Sequence, residues 1–309
     1  MVKIRKRHSR SIGKYLLVVI LLLTALGLVL YPFISNYIYE NRADGIIETI
    51  EKAAESETGS SGYDDDIVAA RQYNESLLDG HMQLKDPFIE DAKDEQTVKY
   101  KSLLNMTDDG VMGFIKIPCI NVSLPIYHGT SAETLEKGAG HLQGTSLPVG
   151  GESTHSVITG HTGLSKAKMF TDLTELEIGD IFFLKVMGLN LAYKVDNISV
   201  VEPADISKLS IERGQDLCTL VTCTPYGVNT HRLLVRGHRV NYEEAKKAPE
   251  VFAKKKTESK WMKEYTKSII ISAICFASLM IGLFIYRYGT GKRRRRKVKK
   301  KSRDPNKIG

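Results

Sequence analysis

The 309-residue chain holds no Cys-x-x-Cys pair, no internal repeat and no low-complexity segment outside its two ends. Structural zinc sites draw on closely spaced thiolates, so the missing pair argues against one. Without a repeat, the fold is not a stack of like units. Cysteine is scarce, at Cys119, Cys218, Cys223 and Cys275 only. Acidic residues are nearly absent from the ends: residues 1–14 carry six Lys and Arg, and residues 287–309 carry twelve against one acid, Asp304.

The formal net charge of +8 is therefore unevenly placed, because residues 15–286 hold 26 basic and 35 acidic side chains. Each basic end abuts an apolar stretch, residues 15–34 and 269–286. Both stretches approach the ~20 residues that cross a bilayer as a helix. "KIRKR" and "KRRRRKVKKK" then mark the two tails, 1–14 and 287–309, as cytoplasmic, and residues 44–266 as facing outward. A cleaved signal peptide also has a basic front and an apolar middle, but "YPFISNYIYENRADG" offers no small-x-small cleavage site, so the first stretch is expected to stay as an anchor. A basic tail beside a span is explained by membrane lipid, and no nucleic-acid partner is expected.

The outward part divides by texture. Residues 44–80 have helical composition, with Asp64 to Asp66 suited to a helix N-terminus and Gly80 to a stop. Residues 81–109 are polar and irregular; Pro87, in "DPF" at 86–88, disfavours helix before it, so an extended loop is expected. Across 110–245, short β-forming runs such as "GFIKIP", "HSVITGH", "DIFFLKVMG" and "DLCTLVTCT" alternate with turn residues, which predicts a sandwich or a closed barrel with short helical turns. A juxtamembrane linker, 246–266, leads to the second span.

Cys223 ends the run "DLCTLVTC", where alternation points it to the face opposite Cys218 and rules out a bond between them within one strand. The next run, "RLLVRG", brings Arg232 near it, and "TGHTG" exposes His161 on a tight turn. A nearby imidazolium or guanidinium shifts a thiol toward the reactive thiolate, and these residue types suit acyl transfer. Taken alone, the same residues also fit an inert buried thiol in an envelope adhesion or scaffold module, since cysteine is among the most often buried residues.

"TLVTC" with Cys223, "TGHTG" with His161 and "NTHRLLVRG" with Arg232, in that order, resemble the signatures of sortases, the membrane-anchored cysteine transpeptidases of Gram-positive bacteria. The resemblance covers roughly 110–240. A papain-like peptidase is disfavoured because there the cysteine precedes its histidine. "DPF" and a second span resemble the class C, pilin-polymerising members. The resemblance implies a closed sortase-type β-barrel preceded by N-terminal helices and a lid loop, and flanked by two transmembrane helices. It implies Cys223, His161 and Arg232 as catalytic residues and no cofactor or metal. It further implies a lid in which Asp86 pairs with Arg232 while Phe88 covers Cys223. The partners implied are pilin subunits that bear an LPXTG-like sorting signal and an acceptor lysine. A cell-wall-anchoring sortase that uses a peptidoglycan amine is the alternative.

Overall fold

A computed structural model describes residues 9–56, 63–79, 88, 95–107, 109–164, 166–248, 263, 265–278, 280–282 and 285. The chain forms two compact units, residues 1–261 and 262–309. In the second, residues 265–278 and 280–282 are helical, and the stretch 265–282 has a mean hydropathy of 1.6.

The first unit is built on eight strands: β1 (Val111–Ile117), β2 (Val122–His128), β3 (Ala139–His141), β4 (Thr154–Thr159), β5 (Ile181–Val186), β6 (Leu189–Val201), β7 (Asp216–Thr224) and β8 (His231–Val240). They close into a barrel in the order β1-β2-β3-β4-β7-β8-β6-β5. Closure leaves no open sheet edge. The β2–β3 and β4–β7 pairs are parallel and the rest antiparallel. Ile115, Ile117, Leu184, Tyr193, Cys218, Leu220 and Val235 belong to the main buried core, as the period-two alternation of their runs requires. Of the two architectures the spacing allows, the barrel is the one formed.

Helices surround it: α1 (Ser9–Ser56), α2 (Asp64–Asp79), α3 (Glu95–Ser102), α4 (Ala132–Lys137) and α5 (Tyr242–Lys247). Three features depart from the sequence reading. First, α1 runs unbroken through Pro32, joining the expected span at 15–34 to the helical segment that was expected to begin at 44. Tertiary docking explains its length. Ala43, Ile47 and Ile50 are buried, Ile47 and Ile50 pack with Val111, Phe114 and Tyr127, and Glu51 reaches Lys116 at 3.4 Å and Lys185 at 3.0 Å. Second, α3 lies inside the stretch expected as loop. Its Tyr100 is fully buried; the hydroxyl donates to His141 Nδ1 at 2.9 Å, accepts from Gly129 N at 3.0 Å and lies 3.1 Å from His141 O. Such anchoring stabilises a helix too short to persist alone. Third, β3 was not anticipated. A side chain at Gly140 would stand 2.3 Å from the Gly129 carbonyl oxygen, so this three-residue strand depends on a glycine that reads as a turn in sequence.

Candidate active site

β7 carries two cysteines on opposite faces of the barrel wall. Cys218 is fully buried inside, where desolvation pushes its thiol well above the usual range and keeps it protonated. Cys223 is half-buried near the strand's end. All four cysteines are thiols rather than disulfides.

Strand register brings the other two residues to Cys223. In the antiparallel β7–β8 pair, Cys223 lies directly opposite Arg232. The Arg232 guanidinium is steadied by the turn before it, with Nη1 donating to Asn229 O and His231 O, each at 3.2 Å. On the other side, β4 runs parallel to β7 with Thr159 opposite Val221. The pairing continues past the end of β4: Gly160 N donates to Val221 O at 3.0 Å, and Thr222 Oγ1 donates to Gly160 O at 2.7 Å. One residue further along each chain, position 161 falls beside position 223. Glycine is required at 160, because a Cβ there would lie 2.6 Å from the Phe170 ring.

Phe88 links the two flanking residues. Its ring centroid is 6.0 Å from that of His161, and the Arg232 guanidinium carbon stands 4.8 Å above it. Burial lowers the pKa of His161, Glu136 opposes that shift and Lys166 adds to it, so the ring is neutral near pH 7. Asp86, expected to pair with Arg232, lies outside the described residues, as do residues 1–8, the tail 287–309 and most of the linker. A thiol, an imidazole and a guanidinium at one end of the barrel wall are groups of the kind that acyl transfer uses. Among the described residues, no group of three or more His, Cys, Asp or Glu is placed to hold a metal ion.

Reading the sequence did not reveal the apolar floor beside these residues. Leu142, Val157, Val201, Leu209, Val221 and Leu234 form a second buried cluster, with Phe88 and Ile206 against it. Four of these side chains come from four different strands, so no single run displays them. Leu209 belongs to a turn in the β6–β7 connection that His155 secures, with Nδ1 donating to Ser210 O at 2.8 Å and Nε2 accepting from Thr219 Oγ1 at 2.7 Å. The sequence signal for this latch was a histidine opening the "HSVIT" run, a polar residue in a stretch otherwise bound for the core.

Comparison with known proteins places this arrangement. The family model described as the sortase domain matches residues 115–240. The crystal structure of sortase C-1 from Actinomyces oris is 50% identical, with a TM-score of 0.55, and the match covers 57% of this chain and 98% of that one. The chain belongs to the sortase family. A second solved sortase, Sortase C of Streptococcus pneumoniae, is 40% identical with a TM-score of 0.57, over 64% of this chain and 97% of that one; it is described as informing pilin substrate specificity. Sortase D of Bacillus subtilis (strain 168) is 32% identical over 131 residues, 41% of this chain and 63% of that relative, so the match leaves over a third of that protein uncovered. The β-barrel with short helices and the apolar helices that the resemblance implied are thus found in this sortase.

Proposed function

We propose that this sortase is a membrane-anchored cysteine transpeptidase that joins pilin subunits. The observation that carries the reading is the convergence of His161, Arg232 and the Phe88 ring on the Cys223 end of β7. His161, neutral at rest, takes the proton of the Cys223 thiol, and the resulting thiolate attacks the threonine carbonyl carbon of an LPXTG-like sorting signal, forming a C–S bond. Arg232 stabilises the oxyanion that develops. The Thr–Gly C–N bond then breaks, and a proton from His161 goes to the departing glycine amine. In the second half, a lysine amine of another pilin subunit attacks the thioacyl carbon and gives its proton to His161. The Cys223 thiolate leaves, and an isopeptide bond remains.

In this reading Phe88 and Asp86 belong to a lid that must open before the signal enters. Phe88 meets Arg232 and His161 through ring contacts and packs against the apolar cluster, contacts weak enough to suit a cover that opens at modest cost. The apolar floor beside Cys223 supplies a surface for the apolar residues of the signal. The two apolar helices anchor the enzyme with both termini in the cytoplasm, on the strength of the basic tails. Anchoring confines enzyme and surface-bound substrates to one thin layer and raises their effective concentration.

The test is to incubate the full-length enzyme with a pilin subunit bearing a sorting signal and a second subunit, and to sequence any branched peptide by mass spectrometry. A threonine joined to a lysine side chain supports the proposal. Transfer only to a peptidoglycan amine, or hydrolysis alone, contradicts it.

A further inference from the structure

The loop that carries His161 does not stand on the barrel alone. At its base, Phe170 N donates to His161 O at 3.0 Å and Gly163 N donates to Thr171 Oγ1 at 3.1 Å. Its outer limb is bonded to α1. Ser35 Oγ donates to Lys166 O at 3.0 Å, and Lys168 N donates to Asn36 Oδ1 at 2.8 Å. The orientation of the Asn36 amide is fixed by its other end, which donates to Glu40 Oε1 at 3.0 Å. Lys168 Nζ ties the same limb inward, donating to Ile120 O at 2.6 Å and pairing with Asp172 at 2.9 Å.

Ser35 and Asn36 are the first two residues beyond the apolar stretch 15–34, on a helix that continues from that stretch without a break. We propose that Ser35 and Asn36 are positioning residues for the reaction: the helix leaving the membrane holds the 161–170 loop so that the His161 imidazole stands at Cys223. The inference rests on the reading of His161 as the proton carrier. It makes the anchor helix a working part of the reactive centre and not only a tether.

Two physical consequences follow from losing the α1 bonds. The loop keeps its base but loses the fixed position of its outer limb, and a misplacement of about 1 Å near the chemistry costs on the order of 10²-fold in rate. The charge environment of His161 changes as well. Its ring feels Glu136 from α4, which is paired at 2.6 Å with Lys166 of the loop itself, and Arg232 of β8 stands across the Phe88 ring from it. Lys166 is the residue whose carbonyl Ser35 holds, so freeing the limb moves a charge that acts on the imidazole.

The test uses the full-length enzyme in lipid vesicles with a sorting-signal peptide and an amine acceptor, measuring kcat, KM and the pH profile. Ser35→Ala combined with Asn36→Leu is expected to lower kcat by about tenfold, within the range a small misplacement produces, to leave KM within about twofold, and to displace the imidazole limb of the profile. Asn36→Asp combined with Glu40→Gln, which keeps an oxygen to accept from Lys168 N and turns the side chain opposite it into an amide that can donate, is expected to restore most of the rate relative to Asn36→Leu. An unchanged kcat and profile in the Ser35→Ala, Asn36→Leu variant overturns the proposal, and so does an equal loss in Asn36→Leu and in Asn36→Asp with Glu40→Gln. If the Ser35→Ala, Asn36→Leu variant fails to fold, Ser35→Ala decides the matter by the same criteria, since it deletes one side-chain bond at a partly buried site. His161→Ala is measured alongside. Full activity in that variant overturns the role given to His161, whereas activity lost there but untouched by the α1 substitutions overturns the coupling alone.

Discussion

Replacing Phe88 with alanine removes three separable contributions to a closed lid. The contact with the Arg232 guanidinium, 4.8 Å from the ring and partly open to water, contributes about 0.5–1 kcal/mol. The ring pair with His161, 6.0 Å between centroids and tilted by 36°, contributes about the same. Cover over the apolar cluster is partial, so it amounts to roughly half the value of a fully buried Phe, about 1 kcal/mol. The sum is about 2–3 kcal/mol, and at ~1.4 kcal/mol per decade this raises the open fraction roughly 30- to 140-fold. When opening is fast relative to alkylation, labelling follows that fraction. The assay is the pseudo-first-order rate at which a small thiol reagent modifies Cys223, with Cys223→Ala giving the background from the other cysteines. An increase of at least tenfold in Phe88→Ala is expected. A rate within twofold of the parent would refute the assignment of Phe88 as a cover.

Three further outcomes are expected. Cys223→Ala abolishes transpeptidation while leaving the melting temperature close to the parent's, because it removes one half-buried sulfur and no backbone bond; retained product would exclude Cys223 as nucleophile. Gly160→Ala drives a methyl to 2.6 Å from the Phe170 ring, so it is expected to cost about 1–3 kcal/mol of stability by overpacking and to lower turnover by displacing His161, read by thermal melting and steady-state rates. His141 is fully buried and neutral, donating from Nε2 to Ser146 O and accepting from Tyr100, and burial draws its pKa down to about 3. Its folded pKa lies below the unfolded value of 6.5, so the unfolded chain binds the extra proton between the two, and stability falls as the pH drops through that window. At about 1.4 kcal/mol per unit, this one group costs roughly 2 kcal/mol between pH 7 and 5, visible as a lower urea midpoint; a midpoint independent of pH would contradict it.

What the sequence disclosed depended on how local the signal was. "DLCTLVTCT" forms β7, and its alternation separated Cys218 from Cys223 without any tertiary information. "RLLVRG" likewise sent Leu233 and Val235 to the main core or its neighbourhood and Arg232 to the other face. Register was not legible. That position 161 falls beside 223 follows from Thr159 pairing with Val221, a parallel contact between segments some sixty residues apart in the chain. The apolar floor was hidden for the same reason. α3 escaped because its eight residues are mostly polar and its stability comes from one buried tyrosine reaching β3. β3 escaped because glycine weakens the strand signal in the same place that a close backbone approach demands it. The continuity of α1 was masked by Pro32 and by a polar patch at 35–44, whose Ser35 and Asn36 turn out to face the barrel's loop rather than water alone.

The most direct measurement is to trap the first covalent intermediate. The purified enzyme, mixed with a sorting-signal peptide in the absence of any amine acceptor and quenched in acid, is digested and sequenced by mass spectrometry. The expected result is a thioester on Cys223 whose acyl part ends at the signal's threonine, missing from Cys223→Ala and strongly diminished in His161→Ala. Cleavage between threonine and glycine that persists in Cys223→Ala, or an adduct on a different residue, would contradict the mechanism.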